Sequence, residues 1–281
     1  NLFFQNGDLI IDKRELTVTA DDIAIPYGSS IPDLTYNITN FAFDDTEDLL
    51  TSNIEVSTSA VQGDIPGEYV IEVSGGEADN YSFKYITGTL TIGKLQQDIT
   101  FDEIDDKIFG DPAFELVAAS NIEGDITFSS SDESIVAIGG SIATIVGAGE
   151  VTITAHKAGD DRYGDAEVEQ SLVVGKAPQT ITFYQPESTV YGGDDVELVA
   201  SSTSELEVVF QSSDESVAVV VGSKVEIAGA GTATITASQS GDDNYQAASA
   251  VERVFTVGKA SQTITFGELS GKTFGDESFE L

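Results

Sequence analysis

Tyr81, Tyr163 and Tyr245 recur at intervals of 82 residues, each fourteen residues after a glycine: Gly67, Gly149 and Gly231. A Gly-Lys pair follows each tyrosine, at Gly93-Lys94, Gly175-Lys176 and Gly258-Lys259. A fixed period of this size implies a string of small, similar domains, each with its own thin core. Function in such a chain belongs to the array as much as to any one pocket.

The period divides the chain into three complete modules: 14–94, 95–176 and 177–259. Residues 1–13 repeat 82–94 at an offset of 81, with Gly7 on Gly88, Leu9 on Leu90 and Lys13 on Lys94. They read as the C-terminal hairpin of a preceding module. Residues 260–281 read as the start of a following Ig-like module. Gln262–Phe266 repeats Gln179–Phe183 and Gln97–Phe101, and the Phe274-Gly275-Asp276 step repeats Phe109-Gly110-Asp111. The chain is thus expected to be a window onto a longer array.

Each repeat carries the alternation of half-buried strands. Val151-Thr-Ile-Thr-Ala155, Ala233-Thr-Ile-Thr-Ala237 and Leu16-Thr-Val-Thr-Ala20 place apolar residues on one face and threonines on the other. Glycine-rich turns separate them: Gly-Ala-Gly at 147–149 and 229–231, Gly-Asp-Asp at 159–161 and 241–243, and Pro66-Gly67. About seven short strands per repeat, with turn signals every 8–12 residues, predict an all-β chain of Ig-like sandwiches. The first module departs in its middle. There Asp45-Thr-Glu-Asp-Leu-Leu50 supplies an N-cap, acidic first-turn residues and then apolar ones. One short helix is expected at that point, in a β-grasp-like fold or a modified sandwich. The junctions hold no Gly/Ser-rich stretch, which predicts an elongated, semi-rigid rod.

Composition excludes several classes of function. Forty-nine acidic residues against 12 basic ones give a net charge of -37, so phosphate backbones and anionic membrane surfaces are repelled. Such charge keeps modules soluble and apart, and suits salty extracellular water where divalent cations bind. The chain has no cysteine, which excludes disulfides, thiol nucleophiles and zinc-thiolate sites. No hydrophobic run is long enough to insert in a membrane.

The second and third modules resemble the bacterial Ig-like domain group 2 family. The matching residues are Ser-Ser-Asp-Glu-Ser at 130–134 and 212–216, the Val-Ala steps at 136–137 and 217–218, and Gly-Ala-Gly-Thr-Ala-Thr-Ile-Thr-Ala at 229–237. The first module resembles an MBG domain of the YGX type, through Leu16–Asp22, Tyr27-Gly28-Ser29, Leu34-Thr35-Tyr36, Gly63–Tyr69, Asn80-Tyr81 and Gly88–Ile92. The resemblance implies giant repetitive surface adhesins of Bacteroidota, some of them used in gliding motility. It implies an extracellular place on the bacterial surface, and neither catalytic residues nor a defined ligand site.

Candidate sites are few. Acidic loops could converge on calcium, with Asp102, Glu103, Asp105, Asp106, Asp160 and Asp161 as the ligand candidates. The alternative is a set of solvated acidic turns, and neither the EF-hand spacing nor the calcium nonapeptide is present. Tyr81, Tyr163 and Tyr245 could form a carbohydrate-stacking row. Their position after a polar turn favours a tyrosine-corner-like core role, and the aromatic-Gly pairs at Tyr27, Phe109, Tyr191 and Phe274 read the same way. Lys94, Lys176 and Lys259 sit at junctions, where a salt bridge to an acidic neighbour is favoured over an isopeptide bond. His156 is the only histidine, and Ser238 takes its place in the third module, so no repeated His-based site exists and no enzyme is expected.

The function this composes is a non-catalytic stalk or spacer in a surface adhesin. Its partners are the adjacent modules of the chain and a host, cell or surface glycan or protein beyond it. Two alternatives stay open: modules that bind glycan or mucin directly, and a self-assembling extracellular filament. An exposed aromatic groove recurring on each module would favour the first. A recurring apolar patch or open strand edge would favour the second.

Overall fold

In the computed structural model, which describes residues 4–5, 8–9 and 11–280, strands follow the alternating stretches. β1 (Phe4–Gln5) pairs antiparallel with β2 (Asp8–Leu9); of the expected 1–13 hairpin, residues 1–3, 6–7 and 10 lie outside the described residues. Seven strands come next: β3 (Arg14–Ala20), β4 (Ile23–Pro26), β5 (Tyr36–Thr39), β6 (Ser52–Thr58), β7 (Gly67–Glu77), β8 (Tyr81–Ile86) and β9 (Gly88–Gly93). β3 buries Leu16, Val18 and Ala20 and turns its threonines away, as the period of two requires.

These seven form two sheets, ordered β5-β3-β8 and β4-β9-β7-β6. Val18 and Ala20 from one sheet share a core with Ile54, Ile71, Val73, Leu90 and Ile92 from the other, so the first repeat is a sandwich and not a β-grasp. The expected helix is a single 3-10 turn, Glu47–Leu49, with no buried residue. It cannot propagate because Leu50 is extended, at φ -71 and ψ 129, and packs its side chain on the core on the way into β6.

β3 pairs parallel with β8, and β4 pairs parallel with β9. Two neighbouring strands therefore cross from one sheet to the other side by side, at Asp21-Asp22 and at Thr87-Gly88. The amide of Thr89 donates to Asp22 Oδ1 at 2.7 Å across this crossing. The segment Tyr81–Gly93 is thus not a hairpin: its halves belong to different sheets.

The remaining strands fall into two sets of nine. The first is β10 (Ile99–Phe101), β11 (Lys107–Ile108), β12 (Phe114–Glu115), β13 (Ala118–Ser120), β14 (Thr127–Ser130), β15 (Val136–Gly139), β16 (Ile142–Ile145), β17 (Gly149–Lys157) and β18 (Ala166–Gly175). The second is β19 (Ile181–Phe183), β20 (Thr189–Val190), β21 (Val196–Glu197), β22 (Ala200–Ser202), β23 (Val209–Ser212), β24 (Ala218–Val221), β25 (Lys224–Ile227), β26 (Gly231–Ser238) and β27 (Val251–Gly258). In the second set the order is β20-β27-β26-β23 in one sheet, with β19-β22 and β21-β25-β24 making the other. β21 and β22 are two halves of one broken strand, so the sheets read A′-G-F-C and A-B-E-D, the Ig arrangement. The first set has the same order, β11-β18-β17-β14 with β10-β13 and β12-β16-β15.

Both sets bury the same positions with exchanged volumes. Val151 and Leu172 are buried in one, Ala233 and Phe255 in the other, and Ala233 lies directly opposite Phe255 across the ladder. A smaller residue facing a larger one keeps the core filled. The Ser-Ser-Asp-Glu-Ser motif has a structural use. Asp214 Oδ1 accepts from the Ser216 amide at 2.9 Å and its hydroxyl at 2.6 Å, and Ser213 Oγ accepts from the Thr234 amide at 2.9 Å. Asp132, Ser134, Ser131 and Thr152 repeat those bonds. Hydrogen bonds from the serine hydroxyl and then the serine amide hold both aspartates below their ordinary pKa.

Two compact units make up the chain. One comprises residues 1–105, 112–144 and 150–172; the other comprises 106–111, 145–149 and 173–281.

Candidate functional site

A chain of modules works through its junctions, and here the two connections at Lys94–Asp98 and Lys176–Gln179 are bonded into the fold. In the first unit, β9 leads into β10 through Lys94–Asp98. Leu95 N–H donates to Arg162 O at 2.8 Å, and Gly164 N–H donates to Leu95 O at 2.9 Å, a parallel bridge to Tyr163. Gln97, buried, donates to the carbonyls of Lys157 and Ala158 at 3.2 Å and of Gly164 at 2.7 Å. In the second unit, Ala177 N–H donates to Asn244 O at 2.8 Å and Gln246 N–H to Ala177 O at 2.9 Å. Gln179, also buried, donates to Gln239 Oε1, and to Gln246 O at 2.7 Å. Such buried, satisfied amides fix backbone that a free linker would leave to water.

The turns before Tyr163 and Tyr245 are built by their Gly-Asp pairs. Asp160 Oδ1 accepts from the amides of Arg162 at 2.7 Å and Tyr163 at 2.8 Å, and Asp242 Oδ1 from those of Asn244 and Tyr245, both at 2.8 Å. The Arg162 amide and then the Tyr163 amide depress the Asp160 pKa. Gly241 has φ +77, and a Cβ there would lie 2.3 Å from Tyr245 O, so only glycine opens this turn. Lys94 Nζ donates to Asp160 O at 2.6 Å and Lys176 Nζ to Asp242 O at 2.5 Å. The expected junction salt bridges are therefore hydrogen bonds to backbone carbonyl groups. Lys259 precedes residues 260–280, which form one turn at Phe274-Gly275 and no strand among the described residues.

The tyrosines divide into two kinds. Tyr81 is buried, as expected of a core residue; its hydroxyl donates to Asp45 Oδ2 at 2.5 Å and accepts from the Ala42 amide at 3.0 Å. That bond to Asp45 is the main cause of its raised pKa. Tyr163 and Tyr245 are half-buried, which corrects the core reading for them. The Tyr245 ring meets Phe109 edge-on at 5.4 Å, and the Ala148 amide donates to Asn244 Oδ1 at 2.9 Å. In the first unit the place of Asn244 is taken by Arg162, whose guanidinium lies 5.8 Å from the centre of the Tyr27 ring. Of the aromatic-Gly pairs, Tyr27 is half-buried and packs on the core of the first sandwich, Phe109 is half-buried, Tyr191 is 52% exposed and Phe274 fully exposed. Gln97 and Gln179 are the site residues that strand and turn patterns miss. Their signal was a polar residue repeated in register just before an apolar strand.

The calcium candidates are not gathered. Asp102, Glu103, Asp105, Asp106, Asp160 and Asp161 are all exposed. Asp106 Oδ1 accepts from the Val173 amide at 3.3 Å, and Asp160 is engaged in its turn. Among the described residues no three acidic or histidine side chains converge as a metal site. His156 is half-buried on β17, opposite Thr127. One groove does recur, beside the turns that precede β14 and β23: about 530 Å³ at Leu116–Phe128 and about 840 Å³ at Leu198–Phe210. The half-buried Phe128 and Phe210 line it, packed on Phe101 and Phe183 at 5.5 and 5.2 Å, so those rings are not free stacking platforms. No helix among the described residues is long and apolar enough to cross a membrane, which leaves β-barrels aside.

Residues 16–91 match the MBG domain of the YGX type. The match runs from Leu16 within β3 to Thr91 within β9, nearly the whole of the first sandwich described above. No curated protein matches in sequence. Among solved structures, the chain is similar to Drosophila N-cadherin EC1-4 at 12% identity and a TM-score of 0.30, over 89% of this chain and 76% of that one. The titin I-band fragment I67-I69 aligns at 13% identity and 0.29, over 87% and 97%. A SusE-like surface located polysaccharide binding protein of Bacteroides thetaiotaomicron aligns at 12% and 0.24, over 75% and 55%. Scores this low carry no argument, and the Ig arrangement rests on the strand order of this chain.

Proposed function

We propose that the chain is a non-catalytic stalk segment of a large, repetitive adhesin on a bacterial surface, in which the modules 14–94, 95–176 and 177–259 act as spacers. The observation that carries this reading is the pinned connection: Leu95 and Gln97, and again Ala177 and Gln179, are bonded within the repeats they open, and Lys94 and Lys176, the last residues of the repeats before them, bond to Asp160 O and Asp242 O. A spacer needs that continuity, whereas independent binding modules do not. The MBG match supports an adhesin setting, and the charge of -37 supports a solvated extracellular stalk, since lateral assembly would press like charges together. Adhesion, and gliding where the parent drives it, would then belong to what the stalk carries. Small-angle scattering of the whole chain tests the reading: an extended particle of constant cross-section is expected, and a compact or freely flexing one overturns it.

A further inference from the structure

We propose that two residue positions set how firmly neighbouring repeats are held, so that the two junctions of this chain differ in stiffness. The first position precedes the glycine that opens β7 or β17: Pro66 before Gly67, Ala148 before Gly149. The second precedes the beat tyrosine: Arg162 before Tyr163, Asn244 before Tyr245.

In the second unit these positions interlock. The Ala148 amide donates to Asn244 Oδ1 at 2.9 Å while Asn244 O accepts from Ala177 at 2.8 Å. A single asparagine therefore grips the loop before it and the connecting strand together. The Tyr245 edge on Phe109 adds an apolar contact beside the bond. A directed amide bond and a ring contact fix both distance and rotation.

In the first unit the same bond cannot form. Pro66 has no N–H to give, and Arg162 has no acceptor to receive one. Beside the lysine-to-carbonyl bond that both junctions share, Lys94 to Asp160 O and Lys176 to Asp242 O, what remains is the guanidinium over Tyr27 at 5.8 Å. A cation above a ring face is attracted to an area and not to a point, so it tolerates sliding that a short amide bond does not. The loss of donor and of acceptor at the same junction is the observation behind the inference. It depends on these contacts alone and holds whether or not the chain is a stalk.

The chain has no cysteine, so introduced cysteines are its only thiols. Glu68, Glu150 and Thr232 are exposed and stand at the same place in the three repeats. Spin labels on Glu68→Cys with Glu150→Cys report the first junction, and on Glu150→Cys with Thr232→Cys the second. The distance distribution by pulsed dipolar spectroscopy is expected to be broader for the first pair. Asn244→Ala should broaden the second, raising the displaced population about fivefold, the effect of one ordinary hydrogen bond. Pro66→Ala with Arg162→Asn should narrow the first, and unchanged melting curves would show that each variant is folded. Equal widths in the parent chain, or a second junction indifferent to Asn244→Ala, would overturn the inference. So would a folded Pro66→Ala, Arg162→Asn chain whose first distribution stays broad. Scattering that shows a flexible chain overall, with these widths as expected, would sink the stalk reading and leave this one standing.

Discussion

Replacing Gly88 by alanine should destabilise the first repeat by about 1–2 kcal/mol. Gly88 lies where β8 passes into β9, beside the passage of β3 into β4. A Cβ there would stand 2.8 Å from the carbonyl oxygens of both Ala20 and Asp21, and both are backbone atoms that cannot swing away. Relieving the clash means parting the two crossing strands, an overpacking cost of about 1–3 kcal/mol. Alanine recovers part of this, about 0.4–1 kcal/mol, by restricting the unfolded chain. Gly93→Ala is the control, because its Cβ would meet only Ile25 O at 3.8 Å, an ordinary contact. Calorimetry of the whole chain should show one transition lowered by several degrees, since 1 kcal/mol moves a domain of this size by about 4–8 °C. Hydrogen exchange should place the lost protection in residues 14–93. If Gly88→Ala melts with the parent, or Gly93→Ala falls equally, the side-by-side crossing is not what fixes this sandwich.

Further outcomes follow from the same geometry. Phe255→Leu should leave a void worth about 1 kcal/mol and Ala233→Val should overpack by about 1–3 kcal/mol, while the pair together costs under about 1.5 kcal/mol; additive single effects in urea titrations would refute the volume exchange. Asp132, Asp160 and Asp214 have folded pKa values below 3.8, so their contribution is complete above the ordinary carboxylate pKa and is lost as pH falls through the lowered one. Changing Asp132 and Asp214 to asparagine should therefore flatten the loss of urea resistance in acid, and an unaltered acid limb would show that these turns are not the titrating element. Melting should be indifferent to chelation or added calcium, because no three of the acidic candidates converge; a calcium-dependent rise would return residues 102–106 and 160–161 to the role of ligands.

Much of the architecture was legible in the repeats. The alternation in Leu16–Ala20, Val151–Ala155 and Ala233–Ala237 reports which face is buried, because side chains of a strand point to opposite sides whatever its neighbours are. The recurrent serines and aspartates report turns for the same local reason. Pairing partners were not legible. Tyr81–Gly93 reads as a hairpin from two alternating runs about Gly88, and only the sheets to which β8 and β9 belong show that it is a crossing. The helix expected after Asp45 had the right cap and the right acids, yet Leu50 is drawn to the core and ends it after one turn.

The tyrosine beat carries the same division. Its spacing alone established the repeat, and with the absence of cysteine and the large negative charge it bounded the chain to acidic, all-β modules without thiol chemistry. It could not say what each tyrosine does, because that depends on neighbours far along the chain. Tyr81 is buried and bonded to Asp45, 36 residues away. Tyr245 meets Phe109, from the repeat before it. Local spacing follows from covalent geometry and strand periodicity and can be read one residue at a time. Which ring meets which partner is settled only when two sheets close on a core and one repeat is set against the next.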